Sequence, residues 1–156
     1  MNRWIEILKQ NDYLGAKKYI KEGADLNDEN ENGESVLAHA LRYRCDNDLV
    51  MLLIENGADM YDFDNEGVSI FDMAITYDNI EIVNFFLDKG IDVNATSRKS
   101  KFTPLMCACC YGRLELVKLL LDHGADSSRS DYKGLTALDF AKKMNKKSVI
   151  KILEQE

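Results

Sequence analysis

The sequence predicts an all-α array of repeated two-helix units, because three markers recur in step along the chain. The first is Gly-Ala-Asp or a near copy, beginning at Gly23, Gly57, Gly90 and Gly124, with steps of 34, 33 and 34 residues. The second is a Ser/Thr followed five residues later by Ala, as in Ser35-Val36-Leu37-x-x-Ala40. It returns with Ala74, Ala108 and Ala141, at steps of 34, 34 and 33. The third is a turn glycine at Gly33, Gly67 and Gly134.

Each element of the unit has a physical reason. The Ser or Thr caps a short first helix by accepting a bond from a free first-turn amide. Pro104 follows at the first helical position, where a missing N–H costs little. Ala40, Ala74 and Ala108 lie on the buried side, where a small side chain lets neighbours approach. A second helix follows, such as Leu114–Asp122, with apolar positions aligned across units as Val50, Val83, Val117 and Ile150, and as Leu53, Phe86, Leu120 and Leu153. The glycine of the first marker ends that helix. About ten residues with a turn then lead to the next unit.

This pattern resembles the ankyrin repeat. Residues 103–126 carry the closest match: Thr103-Pro104-Leu105, Ala108, Gly112, Leu114 to Leu121, and Gly124-Ala125-Asp126. The resemblance covers the chain as one domain of five units, near 1–29, 30–63, 64–97, 98–130 and 131–156. It implies an all-α ankyrin-repeat solenoid of stacked helix-turn-helix units with β-turn fingers. A stack needs polar outer faces at its ends. Trp4 takes the Leu37/Phe71/Leu105 position of the first unit beside Arg3, Glu6, Lys9, Lys17, Lys18 and Lys21, and Lys142 replaces a small residue of the last. A free-standing monomer is the expectation.

Three departures stand out. Lys101 occupies the turn-glycine slot after a connection one residue longer than the others, so a different turn is expected over Ser97–Lys101. One extra residue lies in Arg44–Asp48, between the helices of the second unit. Ser69-x-x-Asp72 and Thr136-x-x-Asp139 have capping-box spacing, in which each Asp returns a bond to its cap residue.

Composition narrows the function. The chain has 156 residues, 46% of them apolar, with one Pro, nine Gly and a formal charge of −7. Disorder is excluded on these figures, and no apolar run approaches the roughly 18 residues that span a bilayer. Met1–Leu8 lacks the features of a secretory leader. An acidic balance argues against nucleic acid. Three of four cysteines cluster at Cys107, Cys109 and Cys110, which suits a reducing, cytoplasmic setting better than a disulfide framework.

Those cysteines also raise the alternative of a thiol-based redox sensor or metal-binding protein. Register opposes it: Cys107 and Cys109 flank Ala108 at core positions, Cys110 faces solvent, His39 lies two units away and His123 precedes the helix-ending Gly124. Structural zinc takes four ligands. No phosphate loop, Gly-x-Ser-x-Gly or His-Glu-x-x-His occurs, so we expect no catalytic residue, cofactor or metal.

The leading expectation is a non-catalytic module that binds a protein partner, as inhibitor or adaptor. The ankyrin resemblance implies that the concave face of fingers and first-helix edges does the binding. By register its helix positions are Arg42 and Tyr43, Thr76 and Tyr77, Cys110 and Tyr111, and Lys143 and Met144. Tyr43, Tyr77 and Tyr111 recur every 34 residues, where the repeat does not demand Tyr. Finger residues Glu31, Asn32, Asn65 and Glu66 join them, with Phe102 expected as a partly exposed tip. Residues 29–98 hold 15 acidic and 4 basic side chains, an address for a partner with a basic surface.

Overall fold

The structure is a computed structural model that describes residues 1–155. Ten helices occur among the described residues, in the pairs the repeat predicts. They are α1 (Asn2–Lys9) and α2 (Tyr13–Lys21), α3 (Val36–Arg42) and α4 (Asn47–Glu55), α5 (Ile70–Thr76) and α6 (Ile80–Asp88), α7 (Pro104–Cys110) and α8 (Leu114–Asp122), and α9 (Ala137–Lys143) and α10 (Lys147–Glu154). The chain forms two compact units, Met1–Met73 and the part from Ala74 onward.

Within the first unit α1 packs on α3 and α2 on α4; within the second α7 packs on α9 and α8 on α10. Like helices therefore stack on like helices, the arrangement of an ankyrin solenoid. The aligned apolar positions make the interior. Val50, Val83 and Val117 are fully buried, as are Leu53, Phe86 and Leu120, while Ile150 is half-buried. Ala40, Ala74, Ala108 and Ala141 are also fully buried. Trp4 is buried in the first repeat, and its indole Nε1 donates to the Asp25 carbonyl at 2.9 Å.

First helices end in a left-handed residue, at Asn11, Arg44, Asp78, Gly112 and Asn145. Asn and Asp tolerate that backbone better than other side chains. The extra residue of the second repeat follows Arg44. Cys45 fills the space, buried, with its thiol donating to the Leu8 carbonyl at 3.1 Å.

Single antiparallel bridges close three fingers, at Glu29–Ser35, Phe63–Ser69 and Ser130–Thr136. Asn30, Asp64 and Asp131 brace these fingers from within. Each Oδ1 accepts from the amides two and four residues ahead, at 2.9–3.0 Å.

The finger at Lys101 corrects the expectation of a different turn. Lys101 has φ 59°, beside 74°, 81° and 83° at Gly33, Gly67 and Gly134. Its amide donates to the Arg98 carbonyl at 3.0 Å, as Gly33 does to Asn30 and Gly67 to Asp64. What differs is the brace. Arg98 stands where the other fingers have Asn or Asp, and its own amide donates to Thr96 Oγ1 at 3.2 Å. The turn survives the lost glycine because the surrounding repeat holds the backbone, at a conformational cost.

Capping follows the sequence closely. Thr136 and Asp139 exchange both bonds of a capping box, and the Asp72 amide donates to Ser69 Oγ at 3.0 Å. At α7 the Met106 sulfur takes the carboxylate's place, accepting from the Thr103 amide at 3.4 Å.

Candidate partner-docking faces

In the first unit the fingers lie side by side. The Asn65 amide donates to the Asn32 carbonyl at 2.9 Å, and Asn65 Nδ2 donates to the Glu31 carbonyl at 3.1 Å. Glu31, Asn32, Asn65 and Glu66 are all exposed, as expected, although the Asn65 amide group is already engaged in joining the fingers.

Arg42 and Tyr43 are only half exposed. Arg42 forms an ion pair with Glu34, using both terminal nitrogens. Asn30 Nδ2 donates to Glu34 Oε2 at 2.7 Å, and His39 Nε2 lies 4.0 Å from that oxygen. His39 is buried, and its ring lies nearly parallel to that of Tyr43, with centroids 6.0 Å apart. Lys9 Nζ sits 5.7 Å from the other ring's centre. The Arg42 guanidinium holds the Glu34 carboxyl below the usual carboxylate range, with help from Asn30. Burial lowers the His39 pKa, against the opposing pull of Glu34. Sequence reasoning missed this four-residue cluster, since its members carry no motif.

It also missed Tyr61 and Phe63, which are 57% and 52% exposed. A signal was present. Tyr61 stands where the other repeats have Asn27, Asn94 and Ser128, and Phe63 where the others have Glu29, Ser97 and Ser130. Two large apolar side chains therefore replace small or polar ones, amid Asp59, Asp62, Asp64 and Glu66.

In the second unit Thr76 and Tyr77 are half-buried, and Thr76 Oγ1 lies 3.3 Å from Cys107 Sγ. Tyr111 is 50% exposed and Met144 49%, with Lys143 also exposed. One expectation is corrected here. Cys110 is half-buried rather than solvent-facing. Phe102 is partly exposed, and its ring meets Phe140 edge-on at 5.1 Å and carries the Arg98 guanidinium 4.8 Å above it. Aromatic edges and cations both favour a ring held this way.

Cys107 and Cys109 are buried in the core, as register suggested. Burial pushes the Cys109 thiol up to about 12 and the Cys45 thiol up to about 11. Burial also raises Cys110, with Lys143, Arg98 and Lys146 pulling the other way. Thiols held this way are protonated at neutral pH and are poor nucleophiles. Among the described residues no group of three or more His, Cys, Asp or Glu side chains is placed to hold a metal ion. No described helix is long and apolar enough to cross a membrane.

Comparison with known proteins agrees with the geometry. The family of ankyrin repeats (3 copies) matches residues 5–97 and 96–156. An E3 ubiquitin-protein ligase, hecd-1, of Caenorhabditis elegans is 41% identical over 90 residues, covering 57% of this chain and 3% of its own length. The palmitoyltransferase AKR1 of Lachancea kluyveri is 30% identical over 131 residues, 80% of this chain and 18% of its own. A nuclear factor NF-kappa-B subunit of Gallus gallus is 32% identical over 126 residues, 78% of this chain and 13% of its own. The chain thus spans less than a fifth of these relatives, and the shared stretch consists of repeats. With stacked helix pairs, bridged fingers and this match along nearly all of its length, the chain belongs to the ankyrin-repeat family and is a protein–protein interaction module.

Proposed function

We propose that the chain holds a folded protein partner on the face made by the fingers and the C-terminal ends of the first helices, as an inhibitor or adaptor. The observation that carries this reading is the exposure of Tyr111, at 50%, with Met144 exposed to the same degree at the end of the next first helix. Nothing in repeat packing calls for a large apolar side chain at either place. Tyr offers wide contact area with few torsions to freeze, and it is enriched where binding energy concentrates. In the first unit 16 acidic side chains stand against 7 basic ones. That excess suits a partner with a basic surface, steered by charge and screened by salt. A cytoplasmic setting would keep the four free thiols reduced.

The test begins with a partner identified by crosslinking in native lysate. Its affinity is then measured against Tyr43→Ala, Tyr77→Ala and Tyr111→Ala. At least one substitution should weaken binding by more than about 2 kcal/mol. Raising salt should slow association more than it speeds release. Unchanged affinity in a folded triple variant overturns the reading.

A further inference from the structure

We infer that the second unit carries a docking face of its own for an acidic segment of a partner protein, formed where the ends of α5, α7 and α9 meet the finger at Arg98. The inference rests on the docking reading above, and the polarity of this face is opposite to the acidic excess of the first unit.

Four cations gather here from three stretches of chain. Arg113, after α7, donates from Nη2 to the Thr76 carbonyl at 2.7 Å, which fixes it at the end of α5. Its guanidinium carbon lies 5.9 Å from the centre of the exposed Tyr111 ring. Lys146 lays its stem across Gly112, so closely that a Cβ there would sit 2.8 Å from Lys146 Cδ. Arg98 rests on the Phe102 ring, and Lys143 ends α9 beside the exposed Met144. Arg98, Lys143 and Lys146 are all near enough to Cys110 to favour its thiolate, so their positive fields overlap there.

Three acids near α9 are engaged within the fold, while Asp78 lies exposed just beyond α5. Asp139 binds Thr136, Asp131 is buried under its own finger amides, and Glu154 pairs with Lys142 at 3.8 Å. Tyr111 and Met144 supply exposed apolar area beside the cations. Carboxylates spaced around one large apolar side chain match that surface. Ordered guanidinium groups favour them over a diffuse negative charge, because their donor geometry fits a carboxylate.

The probe is a fluorescein-labelled peptide of alternating Glu and Leu with one Tyr, titrated into the full chain and compared with its Gln counterpart. The acidic peptide should bind at least about tenfold tighter. It should lose about tenfold in Arg98→Glu/Lys143→Glu and keep its affinity in Lys17→Glu/Lys18→Glu. Amide shifts should centre on residues 98, 110–113 and 143–146. If charge reversal disturbs the circular dichroism, Arg98→Gln/Lys143→Gln replaces it, with the same expectation. Equal binding of both peptides, both weakened by Tyr111→Ala, overturns the acidic partner while leaving the docking reading intact. Shifts elsewhere for both peptides overturn the two together. Tighter binding of a uridine oligonucleotide than of the peptide, at the same amides, also overturns the inference.

Discussion

Arg42 grips Glu34 with both terminal nitrogens, one of the bonds being Nη1 to Oε2 at 3.2 Å, and so ties the end of α3 to its own finger. A residue expected to face a partner is thereby committed to the fold, in one cluster with Asn30 and His39.

That cluster gives stability a pH dependence. Glu34 is held below its ordinary pKa by Arg42, and His39 below its own by burial. A group whose pKa is depressed on folding stabilises the protein above its unfolded pKa and loses that contribution as pH falls through the folded value. Stability should therefore decline as pH drops below about 6.5, through His39, and again below about 4.5, through Glu34. Urea midpoints between about pH 7 and 5 check the first stage. His39→Leu should flatten it; an undiminished slope in that variant would count against the cluster.

Lys101 holds a backbone angle that glycine adopts at three other fingers. Replacing it with Gly should raise stability by about 0.5–1 kcal/mol, the relief of left-handed strain exceeding the added unfolded-state entropy. Gly33→Ala should do the opposite, by about 2 kcal/mol, because the backbone is left-handed and the new Cβ would lie 2.6 Å from Asn65 Oδ1. Denaturant unfolding of the two variants decides, and a destabilised Lys101→Gly would sink the strain argument.

Asn27 and Asn94 each staple one repeat to the next within their own units. Asn27 Nδ2 donates to the Gly57 carbonyl at 3.3 Å while its Oδ1 accepts from the Asp59 amide at 3.0 Å. Asn94 does the same with Gly124 and Asp126, at 3.3 and 2.8 Å. Truncation to Ala should cost about 1 kcal/mol at either site, the exposure of the bonds keeping the figure modest. Faster amide exchange at Asp59 and Asp126, respectively, should accompany the loss.

The thiols should react in order of burial. Native titration with a disulfide reagent is expected to modify Cys110 first, with Cys45 and Cys109 reacting only as the protein opens. Alkaline conditions should also destabilise the fold. A pKa raised to about 12 keeps the Cys109 thiol protonated when folded, so its contribution is lost above the unfolded value of about 9. Cys109→Ala should reduce that alkaline slope, and a first-reacting Cys109 would contradict its placement.

Much of the fold was legible because its determinants are local. The Thr136–Asp139 box, the aligned Val50, Val83 and Val117, and the buried Ala40 series each follow from spacing along one or two helical turns. The site was less legible. Tyr111 is exposed as register required, yet Phe102 turned onto Phe140, a partner 38 residues away that no local pattern names. Tyr61 and Phe63 break the repeat's polar register, and their exposure becomes visible only in the folded chain.

Periodicity alone determined that this protein is a stack of helix pairs, and which residues form its interior, since hydrophobic spacing and capping act between near neighbours. Tertiary structure decided that Lys101 turns like a glycine, that Arg42 serves Glu34, and that Arg98, Lys143 and Lys146 share one electrostatic neighbourhood around Cys110. Those outcomes depend on through-space distance between residues on different elements, where charge and packing act regardless of chain order.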